Sequence, residues 1–269
     1  TLEAAPIHNL FDSQDMVTIR PHQSRGFGMR IHLSVSIIVI AATATVLLLM
    51  SLPVTAQDIP RLADGKPDFN GIWDRPRVGN VVTNGTSCGA ATVGCVQEGA
   101  GELPFTDLGL QRWEGYQPDW TGYCLPWGYT RAMGTSYPHE IIQTPNRLAF
   151  LFESNNIFHV IRIDEEHPQG LEQSWLGHSV AEWDGDTLVI DTIGFNDKTY
   201  VDTAHHPMSA DMHVVERISF IDVDHLSYQV TWDDPTMYTR TFENNRVFVR
   251  MSPGSELYEY WCMENNKDL

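Results

Sequence analysis

The sequence predicts an all-β protein: an antiparallel, mostly up-and-down barrel preceded by an irregular, loop-rich segment. Three observations predict it. After Pro138, short runs rich in β-branched and aromatic residues alternate with turn residues. These runs come in successive hairpin-sized pairs. No long amphipathic helical pattern interrupts them, and successive hairpins leave no exposed edge when they close on themselves. A two-sheet β-sandwich is the competing architecture.

Residues 1–28 show no sustained periodicity and read as non-native upstream translation. Residues 29–56 read as a signal peptide, with Met29-Arg30, an apolar run from Leu33 to Leu52 and Val54-Thr55-Ala56 as a small-residue cleavage site. An uncleaved anchor is the alternative, because that run is long enough to span a bilayer. Residues 57–269 are then expected to form one domain. Its first part, 57–137, is rich in Gly, Pro, Thr and Asn and reads as loops packing on a barrel formed by 138–269. Within it, TDLGLQRWEGY (Thr106–Tyr116) predicts a short helix with Thr106 as N-cap, and KPDFNGIWDRP and GYCLPWGYTRAMG read as loops. Arg147–Glu153 and Ile157–Ile163 flank Ser154-Asn155-Asn156. Val180–Trp183 and Thr187–Thr192 flank Asp184-Gly185, and Met212–Ile221 and Leu226–Trp232 flank Asp222–His225. Segments 239–250 and 255–262 add two candidate strands.

An exported chain meets an oxidising compartment, so disulfides are the first reading of Cys88, Cys95, Cys124 and Cys262. Cys88 with Cys95 encloses a short loop, leaving Cys124 with Cys262. No C-x-x-C spacing supports a zinc–thiolate site. The formal charge of −18 opposes nucleic acid and anionic membrane surfaces as partners. After signal cleavage no stable membrane insertion is expected, and the localisation read from these features is periplasmic or extracellular.

The candidate chemistry lies on the predicted strands. With Asp184-Gly185 as the centre of a two-residue turn, His178 falls opposite Asp191, within reach of an imidazole–carboxylate hydrogen bond. Their face also carries Val180, Glu182, Thr187 and Val189, while Ala181, Trp183, Leu188 and Ile190 form the core face. A solvated pair on the outer wall is therefore the plain alternative. In MHVVERISFI, Glu216 alternates with Met212, Val214, Ile218 and Phe220, which puts a carboxylate on an apolar face. Tyr228, on the facing strand, carries the hydroxyl that could satisfy it. Burial would raise the carboxyl pKa toward that of a general acid or base. With Asn155-Asn156 as a turn, His159 lies opposite Phe152 on the most apolar face of its hairpin. His178, His206, His213 and Asp191 are the candidate ligands if a divalent metal is present, though H-H-x6-H matches no strong metal motif.

KPDFNGIW, PHEIIQTPNRLAFLFE, GHSVAEWDGDTLVIDTIGFND, HVVERISFIDVDHLSYQVTWDDP and LYEYWCMENN together resemble a family of secreted, β-rich proteins of soil bacteria. The resemblance spans most of residues 57–269 and implies export. His178, Asp191, Asn196, His213 and Glu216 match the family pattern. It often carries histidine where this chain has Met208 and Met263, and arginine at His159. Gly71-Ile72-Trp73 is similar to the G-x-W of lipocalins, where the tryptophan closes the barrel base.

The functional expectation is an exported enzyme using acid–base chemistry of the lyase, hydratase or isomerase type. Its substrate would be a small apolar or aromatic molecule in the barrel cavity, with no organic cofactor favoured. Glu216, His178 and Asp191 are the catalytic candidates; His159, Asn196, Arg217 and Tyr228 are candidates to hold substrate. A non-catalytic periplasmic ligand-binding protein and a metal-dependent enzyme are the alternatives.

Overall fold

The computed structural model describes residues 58–75, 103–115, 118–135 and 137–264, all within one compact unit. The expected upstream segment, the signal peptide, Cys88 and Cys95 lie outside the described residues. Nine strands close into a barrel in chain order. They are β1 (Gly71–Asp74), β2 (His139–Thr144), β3 (Arg147–Phe152), β4 (Phe158–Ile163), β5 (His178–Asp184), β6 (Thr187–Ile193), β7 (His213–Asp222), β8 (His225–Asp233) and β9 (Phe242–Arg250). The all-β barrel class is as the hairpin pattern predicts; the two-sheet sandwich is not formed. One feature departs from a pure antiparallel meander. β4 and β5 pair in parallel, joined by a crossover of residues 164–177.

Two turns differ from the sequence reading, and in the same way. The β5–β6 turn is Gly185-Asp186, because Asp184 pairs with Thr187. Gly185 sits at φ +62°, the left-handed value that the first central residue of a II′ turn needs. His178 consequently pairs with Ile193, and Asp191 with Val180. In the β3–β4 hairpin His159 pairs with Phe150 rather than Phe152, because the turn widens to include Glu153. Each pairing moves by two residues, so no side chain changes face. Ser179, Ala181, Leu188, Ile190 and Thr192 are buried as the alternation requires, while His178, Val180, Val189 and Asp191 remain on the outer wall, half-buried.

Segment 255–262 forms no strand. Its chain is fixed instead by the Cys124–Cys262 disulfide, by Tyr258 N–H donating to Glu153 and by Asn156 donating to the Tyr260 carbonyl.

Before the barrel, α1 (Asp107–Glu114) begins as predicted, with the Thr106 hydroxyl accepting from Gly109 N–H at 3.0 Å. The segment read as a loop contains α2 (Tyr129–Gly134), whose residues are all buried. A helix buried on every side has no polar face, so no amphipathic period marks it in the sequence. α2 packs into the barrel, and two buried arginines take up its C-terminal carbonyls. Arg75 donates to Ala132 O at 2.7 Å and Arg246 to Met133 O at 2.9 Å. These are the orphan acceptors of a helix end, and cations there suit the helix dipole. Elsewhere in the core, Trp73 and Phe220 join Phe69 and Trp183 in a four-ring cluster.

Candidate functional site

Two polar centres stand out, one on the outer wall and one inside. On the outer wall His178 and Asp191 belong to one network without touching each other. His167, from the crossover, bridges them: its Nδ1 lies 2.9 Å from His178 Nδ1 and its Nε2 3.0 Å from Asp191 Oδ1. His213 Nε2 reaches the other Asp191 oxygen at 2.8 Å, and Arg162 Nη1 reaches His178 Nε2 at 3.0 Å.

Arginine can only donate, which orders every proton in the chain. His178 Nε2 must accept, so Nδ1 carries its proton and donates to His167 Nδ1. His167 Nε2–H then donates to Asp191. Burial, followed by the Arg162 guanidinium, lowers the His178 pKa and keeps the ring neutral. The hydrogen bond from His213 holds Asp191 below the usual carboxylate range, and Asp191 in turn raises His213. The network is thus a neutral imidazole pair resting on an ionised carboxylate.

This relay separates two clefts. One, of about 630 Å³, is lined by Arg162 and His178 together with Phe158, Val160, Trp175 and Leu176. The other, of about 500 Å³, is lined by His167 and Asp191 with Glu165, Glu166 and Glu182. Gly177 sets the entry into β5 at φ +72°, and a Cβ there would lie 2.8 Å from Ile193 O. Gly177→Ala should cost about 2 kcal/mol from left-handed strain and crowding, read as a melting temperature roughly 4–8 °C lower. A variant melting with the parent would mean that this stretch yields freely.

Inside the barrel Glu216 is fully buried, as the alternation predicts. Both oxygens are occupied: Tyr228 donates to Oε1 at 2.5 Å and Tyr129, from α2, to Oε2 at 2.8 Å. Burial pushes its pKa up to about 7, against the two tyrosine hydrogen bonds and the nearby Arg246. None of the clefts above is lined by Glu216. The surrounding space is filled by rings: Tyr228 stacks on Phe248, and Tyr129 lies 4.3 Å from the His159 ring. His159 is buried, bonded through Nε2 to Ser179 Oγ at 2.6 Å, and pushed down to about 3, chiefly by burial and further by the Arg162 guanidinium beyond it. Neutral histidine is what an apolar wall requires.

The remaining candidates disperse. Asn196 accepts from Lys198 N–H in a local turn, and Arg217 pairs with Asp184 on the exposed wall. His206 is buried against Asp202 at 2.7 Å, stacked with Trp113. The residues named as ligands should a metal be present, His178, His206, His213 and Asp191, are not gathered into one group, and among the described residues no group of three or more His, Cys, Asp or Glu is arranged to hold a metal ion. The strand pattern did not point to His167, Arg162 or Tyr129. Arg162 was legible as an outward neighbour once β4 was placed; His167 and Tyr129 come from a crossover and a helix that no periodicity announces. Compared with known proteins, the chain matches no family model and no curated sequence.

Proposed function

We propose that this is an exported acid–base enzyme, of the lyase, hydratase or isomerase type, acting on a small apolar or aromatic molecule against the outer wall. The observation that carries the reading is the ordered chain from His178 through His167 to Asp191. A proton taken from a C–H or O–H bond by His178 Nε2 makes that ring an imidazolium. Its Nδ1 proton can pass to His167, whose Nε2–H rests on ionised Asp191, so the charge settles beside that carboxylate. Returning the proton to another atom of the same molecule completes an elimination, hydration or isomerisation. Glu216 then serves the scaffold, tying α2 to β7 and β8. The Cys124–Cys262 disulfide agrees with export. No helix among the described residues is long and apolar enough to cross a membrane.

The test is a screen of small aromatic and apolar compounds with acidic C–H bonds in deuterated water, read by loss of proton NMR signals. Exchange by the parent should fall about 100-fold or more in His178→Ala, with a clear drop in Asp191→Asn. Equal exchange in folded variants would overturn the assignment. A second reading, a binding protein without turnover, is favoured by one observation: Arg162 already occupies the lone pair of His178 Nε2. It expects binding with no exchange at all.

A further inference from the structure

The cleft beside His178 has a composition at odds with the chain. The protein holds 35 acidic residues and a formal charge of −18, yet no Asp or Glu among the described residues lines this cleft. Its polar side chains include Arg162, Asn155, Asn156 and Ser174, and its walls are Phe158, Val160, Trp175 and Leu176. Phe158, 64% exposed, and Val160 stand together on the outward face of β4 and give this cleft a contiguous apolar wall with Trp175 and Leu176.

Arg162 is also short of an anion. Its nearest carboxylate is Glu165, 3.8 Å from Nε, and Glu165 is engaged at 2.6 Å by Arg147. Arg147 pairs directly with Arg162 across β3 and β4, so two like charges share one glutamate. Arg162 Nη1 donates to a neutral imidazole, a weaker partner than any carboxylate, and Nη2 has no hydrogen bond to another described residue.

We infer that the cleft recognises an amphiphilic anion, an apolar or aromatic body carrying a carboxylate, with Arg162 as its anchor and the release of His178 as the consequence of binding. This rests on the acid–base reading for its catalytic meaning, and on the cleft alone for its binding meaning. A carboxylate presents two acceptors to the guanidinium fork and outcompetes the imidazole for Nη1. The exchange is one hydrogen bond for another: Nη1–H leaves His178 Nε2 and points to the anion. The Nε2 lone pair is then free beside the ligand, while Nδ1–H stays on His167. An uncharged analogue would leave Arg162 where it is and the base covered. Specificity and activation thus come from a single side-chain movement, and Arg162 acts as both anchor and cap.

The experiment uses 3-phenylpropanoate, its neutral amide and acetate as probes on the whole protein, read by calorimetry and by the ¹⁵N shift of His178 Nε2. The phenylpropanoate should bind at least tenfold more tightly than the amide, and only it should move the Nε2 signal; acetate should bind weakly for want of an apolar body. Arg162→Gln should erase the preference for the carboxylate, Arg162→Lys should keep part of it, and both should melt near the parent. Equal binding of acid and amide, binding of neither, or a preference that survives Arg162→Gln would each overturn the inference. Deuterium exchange separates the two readings. A carboxylate preference without exchange leaves the anion class standing and removes the enzyme; exchange on neutral compounds, lost in His178→Ala and indifferent to Arg162, does the reverse.

Discussion

Replacing both Cys124 and Cys262 by serine should lower stability by about 4–5 kcal/mol, the chain-entropy value for a bridge that closes 138 residues. The melting temperature should fall by roughly 10–15 °C on the usual scaling for a domain of this size. The bridge holds the C-terminal segment against the 3₁₀ turn Trp120–Tyr123, and that segment grips the β3–β4 loop through Tyr258 and Tyr260. The same loop supplies Asn155 and Asn156 to the cleft beside His178. Reduction should therefore loosen the cleft as well as destabilise the barrel. Guanidinium titrations of the oxidised parent and the double variant measure the first effect. A loss under about 1 kcal/mol would mean that the denatured chain is scarcely widened by removing the bridge.

The second large effect is a pH-dependent one at Glu216. Its carboxyl stands at about 7 in the folded barrel against the ordinary value of 4.5. A group whose pKa is raised by folding favours the native state below the unfolded pKa and loses that contribution as pH rises through the folded one. The gap corresponds to about 3 kcal/mol, lost between roughly pH 4.5 and 7. Glu216→Gln keeps the shape and cannot ionise. It should match the parent near pH 4 and exceed it by about 3 kcal/mol at pH 8–9, with a flatter dependence between. Denaturation at the two ends of that range checks the sign. If parent and variant run parallel across it, the carboxylate is better solvated than its surroundings imply.

The contrast between faces and partners explains how far the sequence could be read. Period-two alternation assigned Glu216, His159 and the core side of β5 and β6 correctly, because inside and outside depend only on parity. Partners depend on where the turn begins. Asp184-Gly185 and Gly185-Asp186 are both acceptable turns, and choosing the first brought His178 to Asp191 directly. The barrel closure was legible from the run of hairpins, while β2 was hidden beside Pro138. β1 lies inside KPDFNGIWDRP, which reads as a loop because four residues are too few to show a period, and only the likeness of Gly71-Ile72-Trp73 to G-x-W marked it. The Glu216–Tyr228 bond was foreseeable across one hairpin, whereas Tyr129 comes 87 positions earlier in the chain. His167 sits in the polar stretch EEHPQG and has no local mark of its role. Contacts between distant segments are decided by packing that only the assembled fold contains.

A ring of strands obeys a parity rule. Each antiparallel neighbour reverses direction, so a closed circuit can contain only an even number of reversals. Nine members therefore oblige at least one pair to run the same way, and here that pair is β4 with β5. Such a pair cannot be joined by a tight turn: the chain must travel back along the wall before it can enter again. Residues 164–177 make that return journey and carry His167 across to its partners. An eight-membered meander would have had no such return, and its outer imidazole and carboxylate would have stood apart.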